Sequence, residues 1–283
     1  MKTTDRLSRI LHKNEGTGPP AARLLDAHAA SPTDTRGSVS RPGRMPACCL
    51  KHPGSLALVL TAALTCSVRL AGTGGKPPVE QGEFSILWDG KEIGSETYVI
   101  QDSTDSCVST SILDFHNPTE SRQKVRMETR LEMGRNYVPR AYLLKSDVDG
   151  TRGTMTGSFA PNQAMFQYVG GGKPQKRGLL VGNKYTVLDS NIYHHFIFLA
   201  RLFERGGGEK AQEFEVVIPQ EMESGALRMR PLRRETLAVR GKKREVRVLQ
   251  LDTGALEIHL WVDRDGLLQR ISVPARALEI LRR

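Results

Sequence analysis

SRQKVRMETRLEM, residues 121–133, is the stretch on which the fold class turns. Val125, Met127, Thr129 and Leu131 share one parity, while Lys124, Arg126, Glu128 and Arg130 take the other. Successive side chains of a strand point to opposite faces, so the segment predicts an antiparallel strand with one dry and one wet face. The same texture extends upstream. GEFSILWDGKEIGSETYVI (82–100) predicts a hairpin. Phe84, Ile86 and Trp88 share a face, Asp89-Gly90 supplies the positive φ of a tight turn, and Ile93, Thr97 and Val99 set the phase of the return strand. CVSTSILDF (107–115) follows and is closed by Asn117-Pro118.

Downstream, YVPRAYLLKSDVDG (137–150), TRGTMTGSFA (151–160) and QAMFQYV (163–169) continue the alternation, with Asp149-Gly150 and Pro161-Asn162 as turns. EFEVVIP (213–219), GALRMRPL (225–232), ETLAVRG (235–241), REVRVLQLD (244–252) and ALEIHLWVD (255–263) resume it, and DRDG (263–266) turns into LLQRISVP (267–274). Short strands at roughly 8–12-residue spacing argue for an all-β barrel or sandwich. There is no β–α–β alternation and no internal repeat of fixed period. The expected fold is therefore mainly β, a curved antiparallel sheet or incomplete barrel over 82–283.

One run interrupts the strands. LDSNIYHHFIFLARLF (188–203) places Ile192, Phe196, Leu199 and Phe203 at i, i+4, i+7 and i+11, thickened by Ile197 and Leu202, which predicts a helical insertion near 189–204. Asp189, Ser190 or Asn191 could cap its start, Arg201 suits its end, and Gly206, Gly207 and Gly208 terminate it. So apolar a face must cover something apolar, and the open side of the curved sheet is the expected partner. His194 and His195 suggest metal or catalytic chemistry, but neighbours on a helix point about 100° apart and rarely share one ion. The plainer expectation is one histidine packed and hydrogen-bonded and the other near the surface. A polar edge formed with Asp189 is the functional alternative.

The chain of 283 residues has a formal charge of +10. Residues 1–78 hold 11 Lys/Arg against 4 Asp/Glu, whereas 79–283 hold 30 against 27. Most of the basicity thus lies outside the strand-rich part, which removes the main support for nucleic-acid binding. Residues 1–44 lack apolar periodicity and carry Arg, Pro, Gly, Ser and Thr, a composition that cannot offset the entropy of ordering. They are either a disordered extension or sequence upstream of a true start at Met45. Residues 45–71 follow the layout of a secretory signal: a cation at Lys51, an apolar run from Leu56 to Leu64, then small residues. That run is shorter than the roughly 20 residues of a spanning helix. Ala63-Leu64-Thr65-Cys66 loosely matches a lipobox, so lipidation at Cys66 and ordinary signal cleavage both stand. GTGGKPPVEQ (72–81) reads as a linker. Cys107 is the one cysteine in the expected mature body, so neither a disulfide framework nor a Cys-based zinc site is expected there.

No Gly-x-Ser-x-Gly elbow occurs, and GGGK (170–173) and GGGEK (206–210) lack phosphate-loop spacing. No cofactor or catalytic residue is expected. A local charge excess remains over 226–247, where Arg228, Arg230, Arg233, Arg234, Lys242, Lys243 and Arg244 predict either a solvated edge or attraction to an anionic membrane surface. Trp88 and Trp261 are expected at the core or rim.

FSILWDGKEIGSETYVI resembles the opening hairpin of uncharacterised exported bacterial barrel proteins. LDSNIYHHFIFLARLF, then IPQ (218–220) and LWVDRDGLLQRISVPARALEILR (260–282), resemble related secreted domains that stand alone or precede an α/β-hydrolase domain. The resemblance implies a half-barrel similar in outline to lipoprotein-carrier and lipid-binding periplasmic folds, and no catalytic residue. Together these expectations describe an exported protein of the periplasm, outer membrane or medium that holds a lipid or other apolar ligand. Ile192, His194, His195, Phe196, Leu199, Phe203, Trp88 and Trp261 would be at its site. The alternatives are a ligand-free structural or interaction domain and an accessory domain acting on a hydrolase in trans.

Overall fold

The computed structural model describes residues 79–118, 123–239, 241–254 and 256–283; the expectations for residues 1–78, Cys66 among them, lie outside these. The first half of the sheet comprises β1 (Val79–Trp88), β2 (Lys91–Asp102), β3 (Ser106–His116), β4 (Lys124–Gly134), β5 (Pro139–Val148), β6 (Thr151–Ala160), β7 (Gln163–Gly170), β8 (Gln175–Leu180) and β9 (Tyr185–Val187). The helix α1 (His195–Arg205) follows. Then come β10 (Gln212–Ile218), β11 (Glu223–Val239), β12 (Lys242–Asp252), β13 (Glu257–Asp263), β14 (Leu268–Val273) and β15 (Leu278–Arg282).

Among the described residues these fifteen strands make one sheet in the order β8-β7-β6-β5-β4-β3-β2-β1-β15-β14-β13-β12-β11-β10-β9. The short last strand is the keystone. Its antiparallel register from Phe84↔Arg282 to Trp88↔Leu278 joins the two meanders through β1. The edges, β8 and β9, are consecutive in sequence but not laddered to each other. The sheet is therefore open and curved, mainly β as expected, and not closed into a barrel. Side-chain bonds span the opening instead: Tyr185 Oη donates to the carbonyls of Ala160 at 3.0 Å and Gln163 at 3.2 Å.

Strand β4 behaves as its alternation predicts, with Val125, Met127, Thr129 and Leu131 buried and Lys124, Glu128 and Arg130 exposed. Strand β2 does not. A register shift between Ile86 and Leu87 leaves Ile93 as an extra residue just after the first turn, and the inward residues are Glu96, Tyr98 and Ile100, with Thr97 exposed and Val99 half-buried. The phase expected from Thr97 and Val99 is reversed because the extra residue moves Glu96 onto the inward parity opposite Phe84, a position from which charge is normally excluded.

The helix also starts later than its apolar spacing predicts. Residues 188–194 form a turn in which Asn191 takes φ 62°, and α1 begins at His195. Its end is as expected: Gly206 closes the helix, and the Gly208 N–H donates to the Phe203 carbonyl at 3.0 Å. Gly207 and Gly208 both take positive φ there, a conformation glycine adopts without steric penalty.

Candidate functional site

The apolar face of α1 lies in the concavity of the sheet. Ile192, Leu199 and Phe203 are fully buried and Phe196 is 9% exposed. All four belong to the main core together with Phe84, Leu113 and Leu131. An isolated helix of 11 residues is marginal in water, so α1 exists because of this packing. The helix and the inward side chains of the sheet thus bury one another in one core.

What fixes the helix is polar and equally buried. Glu96, projecting inward from β2, accepts the backbone N–H groups of Tyr193 at 2.9 Å and His194 at 3.1 Å through Oε2. Its Oε1 lies 2.7 Å from His194 Nδ1. A carboxylate borrowed from the sheet thus holds the turn that leads into α1, satisfying two buried backbone donors just before the helix. The side-chain cap expected from the chain just upstream is absent. His194 Nε2 reaches Ser109 Oγ on β3 at 3.2 Å, and the imidazole stacks on Tyr98 with ring centres 5.8 Å apart.

Asp189 ties the preceding turn. Its Oδ2 accepts the Tyr142 hydroxyl at 2.5 Å, and its Oδ1 accepts the N–H groups of Ser190 and Gln220, each at 2.9 Å. The Asp189 N–H in turn donates to His195 Nδ1 at 3.2 Å. This assigns the ring proton of a neutral His195 to Nε2, a buried atom with no hydrogen-bond partner. Both histidines are sealed from solvent, so the expectation of one near the surface is corrected. Each has a separate partner set, and among the described residues no cluster of His, Cys, Asp and Glu could hold a metal ion.

Glu96, His194 and Ser109 stand in the order carboxylate, imidazole, hydroxyl that is familiar from hydrolase triads. All three side chains are fully buried, so no substrate reaches the hydroxyl in this conformation. Sequence reasoning missed Glu96 and Ser109. The available signal was the parity of Glu96 with Tyr98 and Ile100 on β2.

The C-terminal half of the helix is pinned by arginines. Arg201 pairs with Glu80 and, at 3.4 Å, with Asp102. Arg205 lies 4.4 Å from the centre of the Tyr137 ring, and Arg247 pairs with Glu204. Two clefts open at this rim, one of about 250 Å³ beside Glu204, Arg247 and Asp263, the other of about 220 Å³ beside Asp102, Tyr137 and Arg205. Neither is lined by Ile192, Phe196, Leu199 or Phe203.

Trp261 lies apart from the helix, on the face of β13 opposite Leu260, clustered with Val246 and Val248. Arg270 covers it at 4.6 Å and Glu235 accepts its indole N–H. Trp88 is half-buried at the turn end of β1. The basic run is split by a bulge between Pro231 and Arg233, which puts Arg228, Arg230 and Arg233 on one face and Arg234 on the other. Arg233 pairs with Glu235 at 2.7 Å, Arg234 with Glu245 at 3.6 Å and Arg244 with Asp263 at 3.0 Å. Arg228, Arg230, Lys242 and Lys243 stay exposed and show no ion pair among the described residues.

Burial, reinforced by the neighbouring His194, holds the His195 pKa well below the usual histidine value. Burial also raises Asp189 to about 6 against the lowering effect of its hydrogen bonds. The histidine loses stability for the fold as pH falls below about 6.5, because the unfolded chain then binds a proton that the fold refuses. The aspartate acts the other way: between about 4 and 6 the fold holds more protons, so stability falls as pH rises through that window. Urea titrations should separate them. His195→Gln should flatten the acid-side loss by up to about 1.4 kcal/mol per pH unit, and Asp189→Asn should remove the opposing slope. A His195→Gln profile parallel to wild type would contradict a neutral buried imidazole.

Burial likewise pushes the Cys107 thiol up to about 12, with the Asp102 charge adding to it. Alkylation mapped by mass spectrometry should find Cys107 unmodified in the native chain and modified only in denaturant.

No family model and no curated protein matches this chain. A solved structure that does is described as a beta-barrel-like protein of the domain of unknown function DUF1849 from Brucella abortus. It is 10% identical, with a TM-score of 0.51 over 73% of this chain and 95% of that one. A protein of the DUF1089 family from Pseudomonas aeruginosa matches at 13% identity and a TM-score of 0.39, over 64% and 90% respectively. At such identity the first likeness concerns the fold alone, an uncharacterised bacterial barrel-like domain.

Proposed function

We propose that this protein is an exported, non-catalytic envelope module whose half-barrel is permanently filled by its own helix and which works through its outer surface. The observation that carries this is the burial of Ile192, Phe196, Leu199 and Phe203 within the main core. Ligand pockets for drug-sized molecules run from about 300 to 1,000 Å³ and are mainly apolar. The two rim clefts fall below that range and are bordered by charged groups. Of the roles expected from sequence, the ligand-free interaction domain therefore fits better than the lipid carrier, which would require α1 to leave its seat. Export rests on the signal-like layout of residues 45–71.

Native mass spectrometry of protein purified from its own envelope tests the proposal. The bare processed chain is the expected mass. A lipid retained at one per chain would restore the carrier role, and an unprocessed chain confined to the cytoplasm would remove export.

A further inference from the structure

The sheet's outer surface is unevenly charged. On β3 and β4 the outward side chains form ion pairs, Arg126 with Asp114 at 2.7 Å and Arg130 with Glu132 at 2.9 Å. Residues 151–188 contain no Asp or Glu, and five cations: Arg152, Lys173, Lys176, Arg177 and Lys184. Strand alternation turns Thr154, Thr156, Ser158 and Ala160 of β6 outward, followed by Gln163, Met165, Gln167 and Val169 of β7.

Three large apolar side chains stand out from this uncharged field. Met165 is 41% exposed, Val169 45% and Leu180, on edge strand β8, 90%. Gly178 lies opposite Met165 and Gln163 opposite Leu180 in the ladder, so Met165 and Leu180 are diagonal neighbours on one face. Lys173, Lys176 and Lys184 are exposed and show no ion pair among the described residues. Arg152 pairs with Asp147 of β5 at 3.2 Å and Arg177 approaches Glu223 at 3.9 Å, so among the described residues the three lysines are the unpaired cations of this face.

We propose that this β6–β8 face docks on an anionic lipid bilayer, with Leu180, Met165 and Val169 entering the interfacial layer and the lysines facing the headgroups. It extends the proposal of a filled barrel acting through its outer surface by naming the surface and the partner. Charge complementarity selects the occupant: Lys173, Lys176 and Lys184, unpaired among the described residues, are attracted to an anionic surface within a Debye length, and apolar side chains anchor what electrostatics recruits. An added strand from a protein partner or a second copy fits less well. The strand β8 has only six residues and carries Lys176, Arg177 and Gly178, the features that blunt an edge against pairing. The basic run over 228–244 competes through Arg228, Arg230, Lys242 and Lys243, unpaired among the described residues, but the large exposed apolar side chain among its described residues is Leu232, at 36%, against three on the β6–β8 face.

Amide hydrogen exchange of the full chain locates the contact. Vesicles of equimolar phosphatidylcholine and phosphatidylglycerol should slow exchange within residues 163–180, and phosphatidylcholine vesicles should not. The double variant Met165→Glu, Leu180→Glu alters two exposed positions and should lose that local protection, with vesicle partitioning at 163–180 weakened at least about tenfold. Unchanged exchange over 163–180 would overturn the proposal. So would protection confined to 228–244, or protection without vesicles that grows with protein concentration and so reports a second copy. None of these outcomes bears on whether the interior holds a lipid, which native mass spectrometry reads separately.

Discussion

Glu96→Ala should destabilise the protein by about 3–5 kcal/mol, lowering the melting temperature by on the order of 10 °C for a domain of this size. The carboxylate is fully buried and serves three groups of one segment, two backbone N–H donors and the His194 ring. Removing it leaves those donors without water or a substitute, and an unsatisfied buried donor carries its full desolvation penalty. Glu96→Gln keeps an acceptor for the helix start and should lose less. A double-mutant cycle with His194→Gln should return a coupling above about 1 kcal/mol, as for groups in one network. If urea denaturation finds Glu96→Ala within about 1 kcal/mol of wild type, Glu96 is not what seats the helix.

Phe203→Ala should cost about 3–5 kcal/mol. Phe203 is fully buried in the last turn of α1, with the Arg247 guanidinium 5.9 Å from its ring centre. Truncation removes transfer energy and leaves a void that the sheet on the facing side cannot collapse to fill. The same variant supplies a control on the filled interior. An apolar fluorescent probe that ignores the wild type should bind the new void. Strong binding of the probe to wild type, unchanged in Phe203→Ala, would mean that an apolar cavity exists elsewhere.

Much of this architecture was legible from parity and turn chemistry. The alternation in 121–133 fixed the inward face of β4, and Asp89-Gly90 and Asp149-Gly150 mark hairpin turns in which all four residues take positive φ. Two kinds of feature escaped. Register along a hairpin depends on irregularities that hydrophobicity does not encode, and the shift after Ile86 reversed the reading of β2. Buried charge escaped because Glu96 is acceptable inside only with its partners, which lie 97 and 98 residues away in sequence. The helix start escaped for the same reason: a local cap was expected from Asp189, Ser190 or Asn191, whereas the carboxylate that holds the turn entering α1 comes from across the sheet. The apolar spacing of Ile192, Phe196, Leu199 and Phe203 was read correctly as a buried face. Spacing alone cannot distinguish a face that lines a cavity from one that fills it.

Native-state hydrogen exchange of the α1 amides between Phe198 and Phe203 tests the filled half-barrel most directly. A helix that is part of the core should open only with global unfolding, its exchange free energy equal to that of the β4 amides and to the value from urea denaturation. Exchange several kcal/mol easier than that of β4, in a cooperative unit confined to α1, would make the helix a lid and return the interior to a ligand.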